Sequence, residues 1–337
     1  MSDALVSPAV GATLWVATGA VSAVSARRLE RDADEGRVAL MGVLGAFVFA
    51  AQMVNFTIPG TGSSGHLGGG LLLAVLLGPW AAFLVMASVL TVQALFFADG
   101  GLLALGCNVF NMGFLTALVA YPLVFRPVAG SDPGRTRLTV ASLLAALTGV
   151  VLGALGVVGE TLASGISTLP APTFLGLMVP VHVAIGAVEG LVTAAVLVGV
   201  ARARPELLRA TPARARNAGR RLVAGLAVAA TAIALFGSWF ASSRPDGLEW
   251  ALARAGFTEA APDGVVRSAM MRIQEATAWM PGYAFRGAEP GADAARAAWP
   301  APSPGSSLAG LAGALAVLAA AVGIGLLVRA VARRSTG

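Results

Sequence analysis

Only two histidines occur in this chain of 337 residues, and each interrupts sequence that is otherwise apolar or glycine-rich. His66 lies in Asn-Phe-Thr-Ile-Pro-Gly-Thr-Gly-Ser-Ser-Gly-His-Leu-Gly-Gly-Gly (55–70), a loop signature between two hydrophobic runs. Imidazole is the usual nitrogen donor for nickel, cobalt, copper and zinc. The glycines at 62, 65, 68, 69 and 70 open backbone conformations closed to other residues and let the chain approach an ion closely. A transition-metal site with His66 as a direct ligand is the first expectation, weighed against a plain polar residue at a membrane surface.

His182 stands in Met-Val-Pro-Val-His-Val-Ala-Ile-Gly-Ala-Val-Glu-Gly (178–190), inside an apolar run, with Glu189 two helical turns further on. The two share a helix face about 10 Å apart. Ionisable groups within such runs are functional candidates, but this spacing favours separate polar contacts, so a structural role is expected for His182. Asn108 and Asn111 fall one turn apart, placed to brace the 55–70 loop or cap a helix start. Asn55 and Ser64 are further candidates to support the loop. Asp99 before Gly100-Gly101 reads as a turn residue, and Glu160 as a solvated or paired helix-end carboxylate. Gly42, Ala46 and Ala50 form a small-residue stripe, for packing inside the chain or against a membrane partner. Cys107, the single cysteine, excludes an intrachain disulfide and reads as a small buried hydrophobe.

These side chains need helices to hold them, and composition says which kind. Hydrophobic residues make up 57% of the chain and charged residues 12%, about half the charge of a soluble domain. With a mean hydropathy of +0.79 and runs near the roughly 20 residues that cross a bilayer, the fold class is an all-α polytopic membrane protein. Expected spans are about 8–25, 38–54, 68–97, 104–125, 138–161, 174–200, 222–241 and 308–331. The third is too long for one comfortable pass and holds Gly78-Pro79-Trp80 at its middle. No cleavable signal peptide is evident at the start.

Net charge is +6, and every basic residue is an arginine placed between hydrophobic runs. That pattern belongs to the lipid bilayer rather than to nucleic acid. Clusters at Arg27–Arg37, Arg126–Arg137, Arg202–Arg221 and Arg329–Arg334 fall on one side only if 68–97 crosses twice. The result is nine passes, with the N-terminus and the His66 loop outside and the C-terminus cytoplasmic. Seven passes form a module over 1–200 and two form a second over 222–337. An Arg-rich cytoplasmic linker (201–221) joins them, and the second module carries an outer segment (242–306).

No Walker A sequence, His-Glu-x-x-His pair or Gly-x-Ser-x-Gly elbow is present. An intramembrane serine hydrolase using Ser63 or Ser64 with His66 or His182 lacks an orienting carboxylate, and Ser64 is too close in sequence to His66 for easy geometry. A non-catalytic membrane scaffold is the third reading.

Four motifs in order carry a resemblance. They are Val-Asn-Phe-x-x-Pro-Gly-Thr with Ser-Gly-His-Leu-Gly-Gly (54–69), Leu-Leu-Gly-Pro-Trp-Ala-Ala (76–82), Val-Gln-Ala-Leu-Phe-Phe-Ala-Asp-Gly-Gly (92–101) and Asn-Val-Phe-Asn-Met (108–112). Over residues 1–200 the chain resembles the CbiM/NikM family, the substrate-binding membrane subunits of energy-coupling-factor importers for cobalt or nickel. Phe-Ala-Ser-Ser-Arg-Pro-Asp-Gly-Leu-Glu-Trp (240–250) resembles the PDGLE domain, akin to the CbiN/NikN accessory subunit. The resemblance implies a transporter component, with no cofactor, that works with a transmembrane coupling (T) subunit and separate ATPase subunits in the plasma membrane. It implies a planar nitrogen site for Co(II) or Ni(II), built from the N-terminal amine, the amide and imidazole of a second-position histidine, and the loop histidine, here His66. Position 2 here is serine. Many family members begin Met-His-Met-Ser-Asp-Ala-Leu, so Met1 aligns with their third residue and marks the ligand arm. A translation start two codons upstream, adding Met-His, is the expectation.

Overall fold

A computed structural model describes residues 1–30, 35–166, 169–203, 220–257, 264–287 and 299–335. The helices are α1 (Pro8–Leu29), α2 (Glu35–Gln52), α3 (Gly70–Leu77), α4 (Pro79–Phe97), α5 (Leu105–Ala129), α6 (Arg135–Ser164), α7 (Ala171–Ala203), α8 (Arg220–Phe236), α9 (Gly247–Arg254), α10 (Val265–Thr277) and α11 (Pro304–Ser335). Among the described residues the strands are β1 (Phe56–Thr57) and β2 (Ser64–Gly65), paired antiparallel as Phe56 with Gly65 and Thr57 with Ser64. The linker expected at 201–221 lies mostly outside the described residues.

Eight helices among the described residues are long and apolar enough to span a bilayer. The ninth expected pass is not a full helix. At 1.5 Å per residue the eight-residue α3 is about 12 Å long, less than half the roughly 30 Å hydrocarbon layer. Glycine prevents a longer helix at both ends: Gly69 (φ +77°) is left-handed and Gly78 (φ +82°) takes an extended positive-φ conformation, and Pro79 then opens α4. The loop through His66 leads directly into this short helix. Gly70 is held to hydrogen by its neighbours, since a methyl group there would meet the Thr116 hydroxyl and the Met112 carbonyl.

The arginine-bearing ends gather together, as the charge pattern requires. Arg37 donates to the Leu77 carbonyl (2.5 Å), Arg28 lies over the Trp80 ring, and Arg329 pairs with Glu35 (3.1 Å). Val75, Phe125 and Arg126 line one cavity at that same end. Helix α5 departs from regular α geometry, with π-helical hydrogen bonding over Phe110–Phe125 and Pro122 inside it. The small stripe on α2 packs within the chain: side chains of Val322 and Leu318 on α11 fill the space over Gly42, and Ala46 and Ala50 are buried. Leu226 and Ala230 of α8 and Val317 and Ala321 of α11 join Phe49 and Phe83 in one continuous core. The two sequence modules thus share packing. Cys107 is fully buried, as its apolar setting predicts.

Candidate metal centre

Residues 1–6 fold back into the helical body. Leu5 and Val6 are fully buried against Leu103, Ala104 and Cys107. The Ala104 N–H donates to the Asp3 carboxylate (2.9 Å), while the Gly101 N–H (3.1 Å) and the Asn108 side-chain amide (3.2 Å) both donate to the Met1 carbonyl. Gly101 can only be glycine here, because the Asp3 side chain occupies the space a Cβ would need. Pinned in this way, Met1 lines a cavity of about 160 Å³ together with His66, Gly68, Asn108, His182, Glu189 and Asp246. Met1 and His66, 65 positions apart, thus line the same cavity.

The loop is held from below by a buried carboxylate. Glu189 on α7 accepts from two consecutive backbone amides, Gly68 N–H at Oε2 and Gly69 N–H at Oε1, each at 3.0 Å. On α2, Gln52 donates to the Gly68 carbonyl (2.7 Å) and accepts from Gln93 on α4 (2.8 Å). The Gln93–Gln52–Gly68 chain thus ties the loop to the core. His66 Nδ1 lies 3.2 Å from the Leu67 carbonyl. A carbonyl only accepts, so Nδ1 carries the proton and Nε2 keeps its lone pair.

From above, the loop is covered by the segment that carries Pro-Asp-Gly-Leu-Glu. The Ser64 N–H donates to the Pro245 carbonyl (2.7 Å) and the Ser64 hydroxyl to the Arg244 carbonyl (2.8 Å). The Ser242 N–H donates to the Asn55 carbonyl (2.8 Å). Asp246 then caps α9, accepting from the Glu249 N–H (2.8 Å), while the Glu249 side chain returns to the Asp246 N–H. Burial, and then the adjacent Asp246 carboxylate, push the Glu249 carboxyl up from its ordinary pKa. Ala251 is fully buried in a cluster with Phe174 and Met178. A Cβ on Gly247 would sit 3.2 Å from His182 Cε1 and 3.1 Å from Ile185 Cδ1, so the backbone of this turn rests on the rim of the cavity.

The same outer segment grips the elements behind Met1. Arg267 donates to the Val6 carbonyl (3.0 Å), and Gln274 donates to the Ala94 (2.9 Å) and Gly100 (2.7 Å) carbonyls. Tyr283 donates to Asp99 (2.5 Å) and stacks on Phe97, with ring centroids 4.9 Å apart. Burial first, and Asp99 next, raise the Tyr283 pKa well above that of a free phenol.

Of the residues singled out in the sequence, Met1, His66 and Asn108 line one cavity, and Asn108 braces the N-terminal arm rather than the loop. Ser64 and Asn55 serve the contact with 242–246 instead of His66 itself. With its hydroxyl donating to the Arg244 carbonyl, Ser64 has no nucleophile–base pairing. Asp99 is a turn residue that accepts from Tyr283. Glu160 is buried rather than solvated and accepts from Asn111 (2.8 Å). That Glu189 reaches the loop amides was not foreseen, although a carboxylate within a span was the available signal. The Asp246–Gly247 turn was visible only as part of a motif.

A polytopic helical body enclosing a small cavity lined by Met1, His66 and His182 is that of an integral membrane protein, and its relatives make it a transporter component rather than an enzyme. Residues 1–207 match the cobalt uptake substrate-specific transmembrane region family, CbiM, and residues 220–330 match the PDGLE domain. The chain belongs to the CbiM family, with a PDGLE domain following in the same polypeptide. The putative metal transport protein HQ_3621A of Haloquadratum walsbyi is 35% identical over 208 residues, 61% of this chain and 91% of that protein. The probable fused nickel transport protein LarMN of Lactiplantibacillus plantarum is 33% identical over 283 residues, 78% of this chain and 84% of that protein. A crystal structure described as a transition metal transporter superposes with a TM-score of 0.53 at 28% identity, covering 60% of this chain and 92% of that one.

Proposed function

We propose that this chain is the substrate-capture subunit of an energy-coupling-factor importer for Ni(II) or Co(II), with a separate coupling subunit and ATPase subunits supplying the energy. The observation that carries the reading is the convergence of Met1 and the His66 loop on one small cavity. Main-chain nitrogen of the N-terminal arm and an imidazole suit planar Ni(II) and also Co(II). Family membership and the names of the relatives support the same cargo. By the positive-inside rule the arginine-bearing ends support an orientation with the N-terminus and cavity outside and the C-terminus cytoplasmic. Residues 242–246, hydrogen-bonded to Ser64 and Asn55, act as a lid that the PDGLE module contributes to the capture site of the first module.

Cells lacking their own nickel and cobalt importers, and expressing this chain with its coupling and ATPase subunits, accumulate radiolabelled nickel or cobalt. Accumulation that persists when the chain is omitted overturns the reading. Within this assay Gly247→Val isolates the lid. The added side chain presses on His182, Ile185 and Val181, and release of bound ion from the purified protein accelerates about tenfold, equivalent to roughly 1.4 kcal/mol.

A further inference from the structure

The Gln93–Gln52–Gly68 chain does not end in the core. The Gln93 side-chain amide also hydrogen-bonds the hydroxyl of Tyr283, in the outer segment of the PDGLE module, and that hydroxyl donates to Asp99 (2.5 Å). We propose that Tyr283 is a positioning residue for the capture loop: acting through Gln93 and Gln52, it holds the Gly68 carbonyl and so the stretch that carries His66, without touching the ion. The inference rests on the capture reading only for what it says of the ion.

Three observations carry it. First, every link has one direction. The Asp99 carboxylate only accepts, so the Tyr283 O–H is committed to it and the phenol oxygen is left to accept from Gln93. The Gln93 amide nitrogen has two hydrogens, one for Tyr283 and one for Gln52 Oε1 (2.8 Å), and Gln52 in turn donates to the Gly68 carbonyl (2.7 Å). Gln52 and Gln93 are both buried. Without the hydroxyl, a Gln93 N–H is left unpaired in the core, which is costly; the amide turns away, and Gln52 loses the partner that orients it. Second, Tyr283 is held more firmly than packing alone requires. Its ring stacks on Phe97 and meets the edge of Phe49 (centroids 6.3 Å apart), and the Met280 N–H beside it donates to the Phe96 carbonyl (3.3 Å). Its backbone takes a left-handed conformation (φ +61°), which a bulky residue keeps only where its surroundings over-determine it. Third, the chain completes a bracket around His66. Residues 244–245 grip Ser64, two positions before the imidazole, and the Tyr283 chain reaches Gly68, two positions after it. The PDGLE module thus holds both sides of the histidine, one directly and one through the core.

The test compares amide hydrogen exchange in the ion-free, purified full-length chain, unaltered and as Tyr283→Phe, which keeps the ring and removes only the hydroxyl. Exchange at residues 66–70 is expected to quicken at least about fivefold, with α8 and α11 unchanged. Nickel chloride titrated into the same two proteins is expected to bind Tyr283→Phe about tenfold more weakly. Gln93→Leu breaks the chain one link further on, so adding Tyr283→Phe to it costs no further affinity, whereas Tyr283→Phe and Gly247→Val add because the lid is a separate route. Unchanged exchange at 66–70 in Tyr283→Phe overturns the proposal. So does exchange that rises throughout the chain, or a loss that adds in full to that of Gln93→Leu, either of which makes the tyrosine a packing residue. Should Tyr283→Phe fail to fold, Asp99→Ala removes the acceptor at the exposed end of the chain and is read in the same way: quicker exchange at 66–70 supports the proposal and unchanged exchange overturns it. Exchange that quickens at the loop in a protein that binds neither nickel nor cobalt removes the capture reading and leaves Tyr283 the residue that positions the loop.

Discussion

His66→Ala lowers the affinity of the purified protein for nickel(II) or cobalt(II) by about a thousandfold, a loss of roughly 4 kcal/mol, with little change in the melting temperature of the ion-free protein. The two halves of this expectation come from different contacts. The Nδ1 bond of His66 reaches only the adjacent Leu67 carbonyl, so removing the ring disturbs no distant element. The loop itself is held by backbone groups, through Glu189 and Gln52 beneath and Pro245 above, and these survive the substitution. What is lost is a nitrogen donor, and alanine offers no replacement. Isothermal titration calorimetry with each ion, beside a melting curve without it, separates the two effects. Undiminished binding by the alanine variant makes the chain a scaffold whose histidine is incidental.

Glu189→Ala has the opposite signature, damaging the fold of the loop before any question of ligation arises. Two amide groups lose their acceptor, the buried Gly69 N–H and the part-buried Gly68 N–H. Leaving a buried donor unpaired costs about 1–3 kcal/mol, so the Gly69 amide alone destabilises the ion-free protein by about that much. Glu189→Gln keeps one acceptor oxygen and presents an amide N–H to the second donor, so it falls between. Thermal unfolding in detergent gives the ranking. Hydrogen exchange at residues 64–70 locates the effect, with protection lost first there. Unchanged exchange at this loop in Glu189→Ala removes the carboxylate from its assigned place beneath it.

The spans were legible because their signal is local. Apolar runs between arginine clusters gave each long helix within a few residues, while the second crossing expected over 68–97 from the arginines is not among the eight long apolar helices. What hydropathy could not convey was that the apolar run from 68 breaks into the eight-residue α3 and the longer α4. Gly69 and Gly78 set that, through conformations only their surroundings reveal. The site divides along the same line. His66 stood out by residue type and by the glycines around it. The residues that hold it in place did not, because their partners lie far off in the chain: Glu189 and Gly68 are 121 positions apart, Asn108 and Met1 107, and Ser64 and Arg244 180. Asn55 and Ser64, candidates to support the loop, bond to residues 242–245. Closeness along the chain was a poor guide where stretches as distant as Met1, His66, His182 and Asp246 line one cavity.

The most direct examination of the capture site is diffraction from crystals of the nickel-loaded protein at the nickel absorption edge. The account requires one strong anomalous peak within coordination distance of both His66 Nε2 and main-chain nitrogen of the N-terminal arm, beneath the Asp246–Gly247 turn. A peak elsewhere in the molecule, or a His66 ring turned toward lipid and remote from residues 1–3, contradicts it.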